Sequence, residues 1–86
     1  MRPIDKVMDA VLKLIPNDFE KRSFLQNEFE NLKEAAKAAG GDQQQYVWMD
    51  LGELLNRVIG EPDTEWKENV ALLIQGKKDY NEVLNG

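Results

Sequence analysis

Apolar side chains recur along this chain at intervals of three and four residues, the spacing that places them on one face of an α-helix. No stretch alternates apolar and polar residues over six positions, as a half-buried strand would. The pattern therefore predicts an all-α fold, with helices over residues 3–15, 18–39, 43–59 and 64–75 and a short C-terminal helical turn. Short breaks between amphipathic helices favour antiparallel neighbours, so we expect one domain, residues 1–86, built as a compact four-helix array.

Residues that start and stop helices lie at the borders of these segments. Pro3 suits the first turn of the first helix, and Pro16 ends that helix. Asn17 is predicted to cap the second helix, with Asp18 and Glu20 in the first turn, where the positive end of the helix dipole favours acids. The remaining helix ends are predicted from glycines and capping side chains, at Gly40–Gly41, Asp42, Gly60–Pro62, Asp63 or Thr64, Gly76 and Asp79.

The predicted third helix has an unusually wide apolar face. Its main stripe is Val47, Leu51, Leu54, Leu55 and Val58. At 100° per residue Trp48 falls beside Leu55 and Ile59, so we expect this helix to be the central one, packed on two sides. Trp48, and Trp66 on the apolar face of the fourth helix, are both expected to be substantially buried.

Tyr46 and Met49 fall on the opposite side of the third helix, in company with Asp50, Glu53 and Arg57. One interpretation is that the first helix or the C-terminal turn covers them, since a central bundle helix can be apolar all round. The other is an exposed surface of Tyr and Met with an acidic rim, a composition enriched at the centres of protein interfaces. The candidate partner-binding residues are therefore Tyr46, Met49, Asp50 and Glu53.

Charge and composition narrow the classes of partner. With 11 basic and 16 acidic residues among 86, the net charge is −5, which disfavours direct binding to nucleic acid and favours a basic protein partner. No apolar run approaches the roughly 18 residues of a membrane span, so no membrane association is expected. The N-terminus lacks the apolar stretch of a signal peptide, and we expect a cytoplasmic protein.

Few residues are suited to catalysis or metal binding. His and Cys are absent, which removes the usual general base, the thiol nucleophile and most transition-metal ligands. Hydroxyl nucleophiles are limited to Ser23 and Thr64. The acidic group Glu61, Asp63 and Glu65 matches no calcium loop and is explained by helix capping. We therefore expect no enzymatic activity, no cofactor and no metal site.

Two comparisons with known classes bear on function. The segment Met49–Leu55 resembles the start of the central helix of acyl carrier proteins, but Asp50-Leu51-Gly52 lacks the serine that accepts their phosphopantetheine. Colicin-type immunity proteins are similar in length, acidity and helical character, but their Tyr-Tyr-Pro binding turn is absent here. The likeness is one of class and charge, and no family is recognised.

These observations favour a small acidic non-enzymatic protein-binding module, such as an inhibitor, an immunity-type protein or a regulatory adaptor. The alternative is a structural or assembly subunit that works as a homo-oligomer. For that alternative a second contact face is available on the second helix. The main apolar stripe of this helix is Leu25, Phe29, Leu32, Ala36 and Ala39. Phe24 lies off this stripe, on the side of Ala35 and Ala38.

Overall fold

The computed structural model describes residues 2–86, and every regular element within them is helical. The elements are α1 (Ile4–Leu14), α2 (Arg22–Ala38), α3 (Gln44–Val58), α4 (Glu65–Ile74) and α5 (Tyr80–Asn85), with one 3-10 turn, Gly41–Gln43, before α3. The predicted all-α class and compact packing are confirmed. The predicted bounds of α1, α3 and α4 differ from these by one residue at each end, and the expected C-terminal turn is α5.

The central helix is α1, and the prediction that the third helix occupies this place is wrong. The backbone of α1 packs on α2, α4 and α5, whereas the main helical neighbour of α3 is α2. Four residues in the middle of α1 are fully buried: Val7, Met8, Ala10 and Val11. The small side chain of Ala10 adds a buried position beside the main stripe, so that α1 can be surrounded by three other helices.

The core is built from the stripes that helical periodicity indicates. Its buried residues in the described chain are Ile4, Val7, Met8, Ala10, Val11, Ile15, Leu25, Phe29, Val47, Leu51, Leu54, Leu55, Ile59, Val70, Leu73 and Val83. Burial of each Val, Leu, Ile or Phe side chain contributes about 1.5–3 kcal/mol before the entropy of ordering the chain is counted. All of the buried residues are apolar, so this cluster supplies stability and no chemistry.

Helices α2 and α3 form an antiparallel hairpin, and this arrangement builds the surface described below. At the closed end, the side-chain amide of Gln44 donates a hydrogen bond of 2.8 Å to the carbonyl oxygen of Ala36. Further along, Leu32 of α2 and Leu54 of α3 line the same concavity. The chain therefore folds back on itself after α2, and the two helices run in opposite directions.

The start of α2 differs from the prediction. Asn17, Asp18 and Glu20 lie outside the helix, which begins at Arg22. Residues 16–22 instead form two tight turns, in which the carbonyl oxygens of Pro16 and Phe19 each accept a backbone hydrogen bond of 3.1 Å from three residues further on. The turns place the Phe19 ring edge-on against Trp66, with the ring centroids 5.1 Å apart.

Other predicted caps have mixed outcomes. Asp79 caps α5 as expected, since its Oδ1 accepts a hydrogen bond of 2.9 Å from the backbone N–H of Asn81. Thr64 precedes α4 without a side-chain capping bond, and Asp42 lies inside the 3-10 turn rather than at the cap of α3. Gly60 and Gly76 follow the ends of α3 and α4 with φ values of 79° and 80°, a left-handed conformation that glycine adopts without strain.

Candidate functional site

The face of α3 that carries Tyr46 and Met49 is open to solvent. Tyr46 is 53% exposed and Met49 is 59% exposed, the two highest values among the exposed large hydrophobic residues. The interpretation in which the first helix or the C-terminal turn covers them is therefore wrong. Asp50 and Glu53 are exposed too, and the four residues follow one another at helical spacing along a single side of α3. We call these four residues the α3 face.

Beside the α3 face, the α2–α3 hairpin leaves a shallow concavity of about 220 Å³, the α2–α3 groove. Its lining residues are Glu28 and Leu32 of α2 and Asp50, Glu53, Leu54 and Arg57 of α3. Two of the predicted site residues, Asp50 and Glu53, thus line the groove, and Tyr46 and Met49 lie toward the closed end of the hairpin. The groove adds Glu28, a third carboxylate contributed by the opposite helix.

In the part of the chain that the structure describes, the three carboxylates share the groove with one cation, Arg57, but form no ion pair. Within residues 2–86 none of Glu28, Asp50 and Glu53 forms an ion pair. Arg57 lines the same concavity, yet its guanidinium pairs with none of them within 4.0 Å. Elsewhere lysines do meet carboxylates: Lys33 meets Asp9 and Glu30, Lys37 meets Glu34, and Lys67 meets Asp63. The groove is consequently a place where a positive charge from outside would find uncommitted partners.

The side of α3 that carries Trp48 serves a structural purpose. Trp48 packs half-buried against the core with its indole Nε1 shielded from solvent, in keeping with the expected burial, and the guanidinium of Arg2 lies 4.9 Å from its ring centroid. Arg2 also donates hydrogen bonds to the carbonyl oxygens of Leu73 and Ile74 at the end of α4. Trp66 is likewise half-buried. Arg2 therefore connects the start of the described chain to α3 and α4 together.

A second concavity, of about 270 Å³, separates α3 from α4. It is largely apolar, and residues that line it include Leu55, Ile59, Val70 and Ile74. Gly52 lies on its α3 side, and no neighbouring atom comes within 4 Å of the position that a Cβ would take. The absence of a side chain at Gly52 therefore leaves this groove open, and no packing contact within the described chain requires a glycine there.

The geometry gives little support for other chemistry. Among residues 2–86, the acids Glu61, Asp63 and Glu65 do not form a group that could hold a metal ion, and no other cluster of three suitable ligands is found. Ser23 and Thr64 are both exposed. No helix in the described part of the chain is long and apolar enough to cross a bilayer.

Helical periodicity places the four residues of the α3 face on one side of that helix, but it does not bring Glu28 of α2 to the adjacent groove. At 100° per residue Glu28 falls on the side of α2 that carries Phe24, and this angle does not indicate what that side lies against. The missing signal was the pairing of α2 with α3. In a hairpin, residues equally far from the turn meet, and this rule brings Glu28 near the C-terminal half of α3.

No family model, no curated protein and no solved structure matches this chain. Its function is therefore inferred from the residues and geometry of its own surface.

Proposed function

We propose that this protein is a small, acidic, non-enzymatic protein-binding module, an inhibitor, immunity-type protein or regulatory adaptor, that contacts a basic protein partner through Tyr46, Met49, Asp50 and Glu53. The observation that carries the proposal is the exposure of Tyr46 and Met49 on one side of α3 beside uncommitted carboxylates. The cytoplasmic location expected from the sequence belongs to the same proposal.

The division of roles follows from the side chains. Tyr46 and Met49 supply apolar contact area, and both residue types are enriched at the centres of interfaces. Met adapts its shape to a partner because its unbranched side chain rotates freely. Asp50 and Glu53 select a basic partner and accelerate encounter, an effect that weakens as salt screens the charges.

Exposure separates binding from stability at these positions. A side chain that is more than half exposed, as both Tyr46 and Met49 are, makes few contacts that hold the fold. Truncation of a residue at the centre of an interface costs about 2 kcal/mol or more of binding free energy. Loss of binding with preserved stability is thus the signature expected of this face.

The experiment is affinity capture from the native cell, with proteins identified by mass spectrometry, using three baits. The baits are the wild-type chain, the double variant Tyr46→Ala/Met49→Ala and the control Leu72→Ala, which removes an exposed apolar side chain from α4. We expect a partner that the wild type and the control retain and the double variant loses. A folded double variant that retains every captured protein at full strength would reject the proposal.

The alternative, a homo-oligomeric assembly subunit, is supported by one observation. Phe24 is 45% exposed on α2, on the side that also carries the exposed Ala35 and Ala38. Sedimentation across protein concentrations separates the two functions. A mass that stays monomeric supports the binding module, and a concentration-dependent rise that Phe24→Ala abolishes supports the assembly subunit.

A further inference from the structure

The α2–α3 groove is bounded by two antiparallel helices that have no third helix between them. Leu54 in its floor is buried and Leu32 is half-buried, while the carboxylates of Glu28, Asp50 and Glu53 stand at its sides. Side-chain ridges of one helix pack into the furrow between two others, as in any helical bundle. The shape is therefore that of a bundle with a vacant position on one side.

Backbone hydrogen bonding restricts the occupant to a helix. The main-chain groups of α2 and α3 are bonded within those helices, so the groove offers no row of N–H and C=O groups to an extended peptide. An occupant in extended form would bury main-chain groups without partners, whereas a helix satisfies its own. No strand edge exists within residues 2–86 to which a peptide strand could be added.

The distances along α3 set the length of the helix that could occupy the groove. From Tyr46 to Arg57 the α3 axis covers about 16 Å at a rise of about 1.5 Å per residue. An occupant needs about three helical turns to reach from the exposed Tyr46 and Met49 to the far end of the groove.

Charge fixes the chemistry of the occupant. Three carboxylates from two helices surround one concavity, and no ion pair within the described chain neutralises them. The net charge of the whole chain is −5, so its field attracts a basic segment toward the same surface. Arg57 at one end of the groove repels a cation there, which confines the favourable position to the middle.

From this geometry, and resting on the proposed function, we infer that the partner binds with one basic amphipathic helix of about three turns laid along the α2–α3 groove. A lysine or arginine of that helix sits between Glu28 of α2 and Asp50 and Glu53 of α3. Its apolar side chains cover Tyr46 and Met49. Glu28 is thereby assigned to the binding surface, although it lies on a different helix from the other site residues.

The test uses three labelled synthetic peptides of equal length, about five helical turns, whose binding is followed by fluorescence anisotropy. The first peptide carries leucine on one face and lysine on the others, the second has glutamate in place of lysine, and the third is the lysine peptide with a central proline. Proline breaks the helix and keeps the charge. We expect binding of the first peptide alone, weakened by added salt.

Two single variants with the same change in charge test the location. Glu28→Gln removes a groove carboxylate, and Glu34→Gln removes an exposed carboxylate of the same helix that is outside the groove. We expect Glu28→Gln to weaken binding of the lysine peptide about fivefold or more and Glu34→Gln to change it less than about twofold. Tyr46→Ala/Met49→Ala should weaken it at least as much as Glu28→Gln does.

Each contrary result has a defined meaning. Equal binding of the lysine peptide and its proline variant would overturn the helical occupant, and equal effects of Glu28→Gln and Glu34→Gln would overturn the groove. Failure of all three peptides to bind would overturn the inference as well. If a captured partner is lost by Tyr46→Ala/Met49→Ala but held unchanged by Glu28→Gln, the groove inference fails while the proposed function stands. Retention of that partner by the double variant rejects the proposed function itself.

Discussion

Gly52 and Gly60, both with open space around the position of a Cβ, are expected to respond in opposite ways to alanine. Gly52 lies inside α3 without a positive φ, so Gly52→Ala should raise the free energy of unfolding by about 0.5–1 kcal/mol through helix propensity. Gly60 has a φ of 79°, where a Cβ is strained, and Gly60→Ala should lower it by about 1 kcal/mol or more. Urea denaturation measures both. Equal signs for the two substitutions would contradict this account of the backbone.

Arg2 is expected to contribute to stability far out of proportion to its place near the chain end. It bonds two carbonyl oxygens at the end of α4 and lies over Trp48, so Arg2→Ala should cost about 1–3 kcal/mol. Arg2→Lys should restore only part of this, because an ammonium lacks the planar fork of a guanidinium. Tryptophan emission should shift to longer wavelength in Arg2→Ala as the Trp48 ring gains water. An unchanged emission and an unchanged unfolding midpoint would contradict the role given to Arg2.

Trp48 shows how much of a single residue's surroundings helical spacing predicts. The angle of Trp48 on α3 predicts an apolar face shared with Leu55 and Ile59, and in the structure Leu55 and Ile59 belong to the core while Trp48 packs against it. The contact with Arg2 could not be predicted, because it joins Trp48 to a cation more than forty positions away rather than to another apolar stripe. The angle of a residue on a helix predicts the direction of its side chain but not which residues of other elements contact it.

At the scale of elements, the ion pair between Asp9 of α1 and Lys33 of α2 should stabilise the fold less in strongly alkaline solution. The hydrogen bond that Lys33 donates to Asp9, helped by the negative charges of Asp9 and Glu30 and opposed by partial burial, raises the pKa of Lys33 above its usual 10.5. A raised folded-state pKa means that the stabilisation is complete below pH 10.5 and is lost as pH rises through the folded value.

The Asp9→Asn variant isolates that contribution. At neutral pH we expect it to lower the free energy of unfolding by about 0.5 kcal/mol, since the Asp9 side chain is nearly half exposed and solvent screens the pair. The difference between wild type and Asp9→Asn should stay constant from pH 7 to 9 and shrink above pH 10.5. A difference that grows in alkaline solution would contradict the assignment.

Two predictions, the start of α2 and the central place of α3, were wrong for the same physical reason. Residues 17–20 have good N-terminal helix chemistry, but Phe19 docks on Trp66 and Arg22 donates hydrogen bonds to the carbonyl oxygens of Leu12 and Ile15 at the end of α1. Because of these contacts outside the helix, α2 begins at Arg22 rather than at residue 18. The central position of α1 likewise depends on which helices approach it, and the width of an apolar stripe on α3 does not reveal that.

For the whole molecule, helical spacing was sufficient for the fold class and for the α3 face, because both depend on the angle between residues of one helix. The groove required knowledge of how α2 and α3 pair. Glu28 and Leu54 are 26 positions apart in sequence and line one concavity only because the hairpin folds back on itself. The charge balance does not depend on the fold, and its prediction of a basic partner stays a prediction.

The claim at the centre of this account is that Tyr46 and Met49 belong to a binding surface and contribute little to the core. It is tested most directly by the free energy of unfolding of Tyr46→Ala/Met49→Ala, measured by urea denaturation beside Leu51→Ala on the buried stripe of α3. We predict a loss within about 1 kcal/mol for the double variant and about 2–5 kcal/mol for Leu51→Ala. A loss of several kcal/mol in the double variant, comparable with that of Leu51→Ala, would show that the two side chains hold the fold together and would contradict the account.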